Sequence, residues 1–172
     1  MCMKQWNVGL ARLHPDQMLQ QKNINADYTW LSIESKNRFF ADPFIFKGYD
    51  GHLQVLYEDF SNGDSYGKIS ITVLNGRFEP VMTKEILDTK SHLSYPYVFQ
   101  EGGKTYIIPE ASKSGNLTSY EFDFASKTLI NKKDIIKGIP LLDSTILKYE
   151  GKYWLFATHR GAHSNSRLYI YF

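Results

Sequence analysis

One pattern recurs three times in this 172-residue chain and limits what it can fold into. Ala41-Asp42-Pro43-Phe44-Ile45-Phe46, Ser94-Tyr95-Pro96-Tyr97-Val98-Phe99 and Leu142-Asp143-Ser144-Thr145-Ile146-Leu147 follow one plan, a short turn-prone start running into apolar residues. A Gly-containing turn and a second apolar run come after each: LQVLYE ending at Glu58, TYIIPE ending at Glu110, YWLFAT ending at Thr158. Asp42 to Glu58 is 16 residues, while Tyr95 to Glu110 and Asp143 to Thr158 are each 15. The units themselves recur after 53 and then 48 residues. A period of roughly 40–50 residues carrying four strands is what a β-propeller blade requires.

The rest of the chain agrees with an all-β, antiparallel reading. From Thr29 onward, brief apolar or aromatic runs alternate with turn formers such as Asn75-Gly76, Gly102-Gly103 and Gly151. Aromatic residues reach 15%, a surplus that suits pleated faces. No helix-length segment separates the runs, which argues against a parallel sheet with crossover helices. Residues 10–23 (LARLHPDQMLQQKN) hold the one helical pattern, with Pro15 suited to a first turn. The expectation is a single domain over 1–172. It comprises an N-terminal segment (1–38), blade one (39–90), blade two (91–139) and part of blade three (140–172). Third and fourth strands are expected at 67–74 and 78–87 in blade one, then at 116–122 and 128–136 in blade two. Closed propellers have at least about four blades. The expected object is therefore an incomplete propeller of under three blades, completed by later blades or by self-association. A β-sandwich with fortuitous internal similarity is the alternative.

Charge and composition exclude several classes. With 20 Lys and Arg against 18 Asp and Glu, spread without long blocks, the chain has no nucleic-acid footprint and no polybasic membrane patch. No run approaches the ~20 apolar residues of a membrane helix. Met1–Val8 is not a signal peptide, so the expected location is cytoplasmic. The single cysteine, Cys2, excludes an internal disulfide and, near a terminus, makes a poor nucleophile.

Strand geometry suggests where chemistry would gather. The first strand of a blade runs along the channel and the second returns antiparallel, so the start of one and the end of the other share a mouth. Asp42, Glu58, Asp59, Glu110 and Asp143 would then surround one opening, with Tyr95, Thr158, His159 and Arg160 on its rim. Carboxylates accept hydrogen bonds from sugar hydroxyls, and two with separated pKa values can work as acid and base. Asp42, Glu110 and Asp143 are the candidate catalytic residues; Glu58, Tyr95, His159 and Arg160 are candidate substrate contacts. A purely structural reading stands beside this one. Asp42 and Asp143 would bind nearby backbone amides, Glu110 would end a strand, and Tyr95, Tyr97 and Trp154 would fill space. His159 and His163 are four apart, but Gly161 and Ser164 mark a loop and no third ligand has zinc-like spacing, so no metal is expected. His14, His52 and His92 are scattered and read as surface or hydrogen-bonded residues. No G-x-S-x-G elbow, Walker loop or G-x-G-x-x-G turn is present, and no cofactor is expected.

ADPF at 41–44, with a following strand that ends in Glu, resembles the opening of the five-bladed propeller glycosidases, among them glycoside hydrolase family 43. Through that resemblance Asp42 would be the general base. FADPFIF, YEDF, GKI, HLSYPYVF, YIIPEAS and LLDSTIL, between 39 and 147, resemble more closely still the N-terminal propeller domain of the glucosamine inositolphosphorylceramide transferase type. Similar bacterial regions accompany formyltransferase or glycosyltransferase modules in surface-polysaccharide pathways. The resemblance implies a carbohydrate-active, glycosidase-like domain that binds or hydrolyses a glycan or nucleotide-sugar ligand. Alternatively it implies a non-catalytic sugar-binding module beside a transferase. In family 43 the second Asp precedes the acidic Glu, whereas here Glu110 precedes Asp143, so only Asp42 inherits a role by position.

Overall fold

A computed structural model describes residues 6–21, 27–33, 35–161, 163–164 and 166–172; Cys2 lies outside them. Thirteen strands and one short α-helix are present among these residues. β1 (Gly9–Leu10) pairs with β2 (Thr29–Trp30), and the helix, Pro15–Gln21, lies between them in sequence. The first large sheet is an antiparallel meander of β3 (Arg38–Lys47), β4 (Leu53–Ser61), β5 (Tyr66–Leu74) and β6 (Pro80–Leu87). The second repeats it with β7 (Ser94–Glu101), β8 (Lys104–Glu110), β9 (Leu117–Asp123) and β10 (Thr128–Ile136). A third sheet consists of β11 (Leu141–Tyr149), β12 (Lys152–His159) and β13 (Tyr169–Tyr171).

The sheets stack face to face, and the apolar sequence of each second strand explains why. Period-two alternation sends Leu56 to one face of β4 and Val55 and Tyr57 to the other, so a strand that is apolar at all three positions needs cover on both sides. Leu56, Ile69 and Ile71 meet Ile107 and Phe122 of the second sheet and Leu93 of the linker that precedes it. Val55, Tyr57 and Phe40 meet Val8 and Leu31 of the N-terminal segment. Ile108, on the far face of β8, joins Leu117, Leu141, Leu155 and Ala157 against the third sheet. Three cores in series therefore separate four layers. Among the described residues no helix is long and apolar enough to cross a membrane.

The leading strands β3, β7 and β11 touch through side chains. The Phe44 ring meets the Tyr95 and Tyr97 rings edge-on at centroid distances of 4.9 and 5.8 Å. Tyr95 Oη and Thr145 Oγ1 are 2.9 Å apart, and the Tyr97 hydroxyl donates to the Ile146 carbonyl at 2.5 Å. Each leading strand also carries one extra residue at the same point. Pairing jumps from Ala41–Glu58 to Phe44–Leu56, from Ser94–Glu110 to Tyr97–Ile108, and from Leu142–Thr158 to Thr145–Phe156. These are β-bulges, which re-aim the chain locally. Pro43 and Pro96 fit there because a bulged residue gives no N–H to the ladder.

Candidate functional site

The bulges set the site. Asp42, Tyr95 and Asp143 occupy the same bulge position, and all three adopt left-handed backbone, with φ of 50°, 41° and 49°. Asp tolerates that region; for a bulky Tyr it is strained, at a cost on the order of 1–3 kcal/mol. At Tyr95 and Asp143 the turned backbone points the N–H at a carboxylate of the preceding sheet. Tyr95 N–H donates to Asp42 Oδ2 at 3.3 Å, and Asp143 N–H donates to Glu110 Oε2 at 3.4 Å.

Glu58 and Glu110 end the second strands beside these bulges and are nearly enclosed, 6% and 9% exposed. The Glu58 carboxyl is pushed up to about 7, first by burial and then by repulsion from Asp42, Glu110 and Asp59. Glu110 is also raised to about 7. Burial is the main cause and Asp143 adds repulsion, against a lowering bond from Ser112 Oγ at 3.0 Å. Asp42 is raised by burial and by Asp143, while its bond from Tyr95 and the nearby His92 oppose the shift. Four carboxyl groups from three sheets thus feel one another's charge. No lysine or arginine among the described residues pairs with any of the four. Elsewhere on the chain most acids are paired, as in Lys104–Glu121, Lys127–Asp50 and the Lys68 contacts to Asp64, Glu85 and Asp88.

His92 borders the group. Its Nδ1 stands 3.8 Å from Glu58 Oε1, but that nitrogen already accepts the Gly67 N–H at 3.0 Å. It therefore donates nothing to Glu58, and the neutral ring keeps its proton on Nε2. Burial lowers the basicity of His92, and Lys113 and Arg160 lower it further, with Asp42 opposing. Among the described residues no three His, Cys, Asp or Glu side chains converge tightly enough to hold a metal ion. Hydroxyl acceptance and proton exchange are the chemistries this arrangement offers.

Other candidates are placed differently. The Tyr95 side chain packs on Phe44 and bonds Thr145, so it contributes to the site through its backbone. His159 stacks on Tyr169 at 3.8 Å, and its Nε2 contacts the Tyr171 hydroxyl at 2.5 Å; its ring is taken up by β13. Arg160 is exposed, bonds Pro140 O through its N–H, and lies near enough to influence His92. Asp59 departs from the expected gathering. It follows Glu58 in a strand, so it points to the opposite face, where Arg38 Nε reaches it at 2.9 Å and Ser70 Oγ at 2.9 Å. His92, Ser112 and Gly67 were given no site role from sequence, although each lies within a motif that carries the family resemblance: HLSYPYVF, YIIPEAS and GKI.

Similarity to known proteins agrees with this architecture. The family described as glucosamine inositolphosphorylceramide transferase 1, N-terminal, matches residues 27–172. Relatives bearing that transferase's name include one from Arabidopsis thaliana, 34% identical over 144 residues, and one from Oryza sativa subsp. japonica, 32% identical over 144. Each alignment covers 79% of this chain and 18% of the relative, so the chain spans under a fifth of their length. Among solved structures, an exo-β-1,3-galactanase from Phanerochaete chrysosporium superposes with a TM-score of 0.61 at 12% identity, covering 80% of this chain and 35% of that one. An α-L-arabinanase of Cellvibrio cellulosa gives 0.52 at 14% identity, covering 95% and 62%. These likenesses show the fold, that of the β-propeller glycoside hydrolases. The chain belongs to the glucosamine inositolphosphorylceramide transferase 1 N-terminal family.

Proposed function

We propose that this domain takes up a glycan or sugar conjugate at the opening where Asp42, Glu58, Glu110 and Asp143 converge. The observation that carries this reading is four carboxyl groups linked by repulsion, two of them buried, with no lysine or arginine partner among the described residues. Such a cluster costs stability, and strongly perturbed acids in a recess mark functional sites more often than chance. A polyol suits it, because hydroxyls donate to ionised acids and accept from protonated ones.

The ionisation states favour hydrolysis as a specific form of this uptake. A Glu110 held at about 7 remains partly protonated at neutral pH and can give a proton to a leaving oxygen. Asp42, steadied by the Tyr95 N–H, can accept one from water. The family relationship favours a second reading, a sugar-binding module that serves a transferase encoded in the same longer polypeptide. Asp42→Asn and Glu110→Gln separate the two. Both variants should keep their far-ultraviolet spectrum. Hydrolysis requires each to lower turnover of a cleaved glycan by about 10²–10⁴-fold, the usual worth of an acid or base. The binding module predicts saturable glycan binding without cleavage in long incubations, weakened in both variants. Wild-type affinity and turnover in both would refute the site.

A further inference from the structure

A recess of about 500 Å³ adjoins the acids where the N-terminal segment meets β3 beside its bulge. Asp42 and Glu58 stand on its wall. Apart from Asn7 the rest of the wall is apolar, with Trp6, Phe39, Phe40 and Pro43 as its large side chains. Asn7 is spent on its own segment: its amide nitrogen donates to the Leu31 carbonyl at 2.9 Å, and its amide oxygen accepts the Val8 N–H at 2.8 Å. Hydrogen bonding to anything in the recess therefore falls to the two acids. Trp6 is fixed but unused. Its carbonyl accepts the Phe40 N–H at 3.2 Å, and two residues later Val8 is buried against the first sheet while its carbonyl accepts the Leu31 N–H at 3.0 Å. The indole itself is 59% exposed. Among the described residues no ring stacks on it, whereas Trp30 lies against Tyr28 at 5.8 Å and Trp154 against Phe172 at 5.4 Å. A large ring gains much from burial, so one anchored by its backbone and left in water beside two acids is available to a ligand. Residue 6 precedes the 27–172 span matched to the family, so the family relationship does not supply this ring.

We infer that the Trp6 indole is the stacking platform for a pyranoside ring whose edge hydroxyls reach Asp42 and Glu58. This rests on the glycan reading of the acid opening and narrows it to one ring form and one further contact residue. A pyranose with equatorial substituents carries C–H bonds on its faces and hydroxyls around its edge. Its slightly positive C–H face suits the negative face of an indole, and its edge hydroxyls donate to an ionised acid or accept from a protonated one. A furanose ring holds hydroxyls above and below its plane, so it offers no flat apolar face to Trp6. The recess lies within the roughly 300–1,000 Å³ of ordinary small-molecule sites.

The full chain is titrated with methyl β-D-glucopyranoside and with methyl β-D-ribofuranoside, by calorimetry and by tryptophan fluorescence. The pyranoside should bind saturably, more tightly than the furanoside, and shift the tryptophan emission. Trp6→Ala should weaken its binding by about tenfold or more, the usual cost of truncating an aromatic anchor, with an unchanged melting temperature. Trp6→Phe should keep most of the affinity and lose the emission shift. Trp30→Phe, which alters an equally exposed tryptophan outside the recess, should keep both. Wild-type affinity in Trp6→Ala, equal affinity for the two probes, or no binding of the pyranoside overturns the inference. Asp42→Asn keeps its failure distinct from failure of the glycan reading. Affinity lost in Asp42→Asn but not in Trp6→Ala leaves the acid opening standing without its platform. The reverse pattern refutes the acid opening, and with it the hydroxyl contacts, while the stacking on Trp6 stands.

Discussion

Gly67→Ala is expected to produce the largest loss of stability of any single methyl addition in the first sheet. A Cβ at this position would stand 2.5 Å from Glu58 Oε1, 2.5 Å from the Leu93 carbonyl and 2.8 Å from Glu58 Cγ. A glutamate tip can swing aside, but the Leu93 carbonyl is backbone. The same residue also bonds the linker before the second sheet twice, accepting from Leu93 N–H at 2.8 Å and donating to His92 at 3.0 Å. β5 must therefore move away from the 92–93 linker, breaking both bonds and displacing Glu58. Overpacking of this kind costs about 1–3 kcal/mol or more, and in a chain of this size each kcal/mol lowers Tm by roughly 2–4 °C. Gly63→Ala is the matched control. Its Cβ meets nothing closer than Ser61 Oγ at 3.7 Å, and the change should stay within about 0.5 kcal/mol. Equal melting temperatures for the two variants would show that the sheets do not meet as described.

Glu58→Gln/Glu110→Gln is expected to make the domain more stable at pH 8 while abolishing what the site does. Both acids are raised from an ordinary value of 4.5 to about 7. A raised pKa means that the native state holds protons which the unfolded chain has released. Their stabilising contribution is complete below about pH 4.5 and is lost as pH rises through 7. Wild-type Tm should therefore climb on acidification from pH 8 to about 6, a window in which Asp50, Asp123 and Glu121, whose carboxyls are lowered by their hydrogen bonds and cationic neighbours, stay ionised and contribute no slope. Removing two repelling charges should recover on the order of 2–4 kcal/mol at pH 8 and nearly nothing at pH 4.5. A variant less stable than wild type at pH 8 would mean that both acids are solvated or paired. Stability gained by disabling a site is the ordinary signature of functional strain.

Much of this was legible in the sequence. The repeat spacing aligned the first two strands of each unit, because each bulge lies 15 or 16 residues before the end of the returning strand. That is also why Asp42, Glu58, Glu110 and Asp143 could be grouped before any geometry was known. What the repeat leaves out is equally physical. Tyr95 occupies the Asp42 position in blade two, and its side chain was read as a rim ring when its backbone N–H is the part that faces the acid. Asp59 was grouped with Glu58 by proximity in sequence, although strand alternation puts neighbours on opposite faces. His92 lies in a linker with no periodicity and gains its place only through a bond to Gly67, 25 residues earlier. The cover on the first sheet from Val8 and Leu31 is invisible because two-residue strands carry no pattern.

Carbon-13 NMR titration of the Glu58 and Glu110 side-chain carboxyls, in wild type and in Asp42→Asn, is the most direct test that these acids share one opening. Both should titrate near 7 in wild type. Loss of the Asp42 charge should lower Glu58, because that repulsion is one cause of its shift. Titration of Glu58 near 4.5, or a midpoint unmoved by Asp42→Asn, would contradict the convergence on which the proposed function rests.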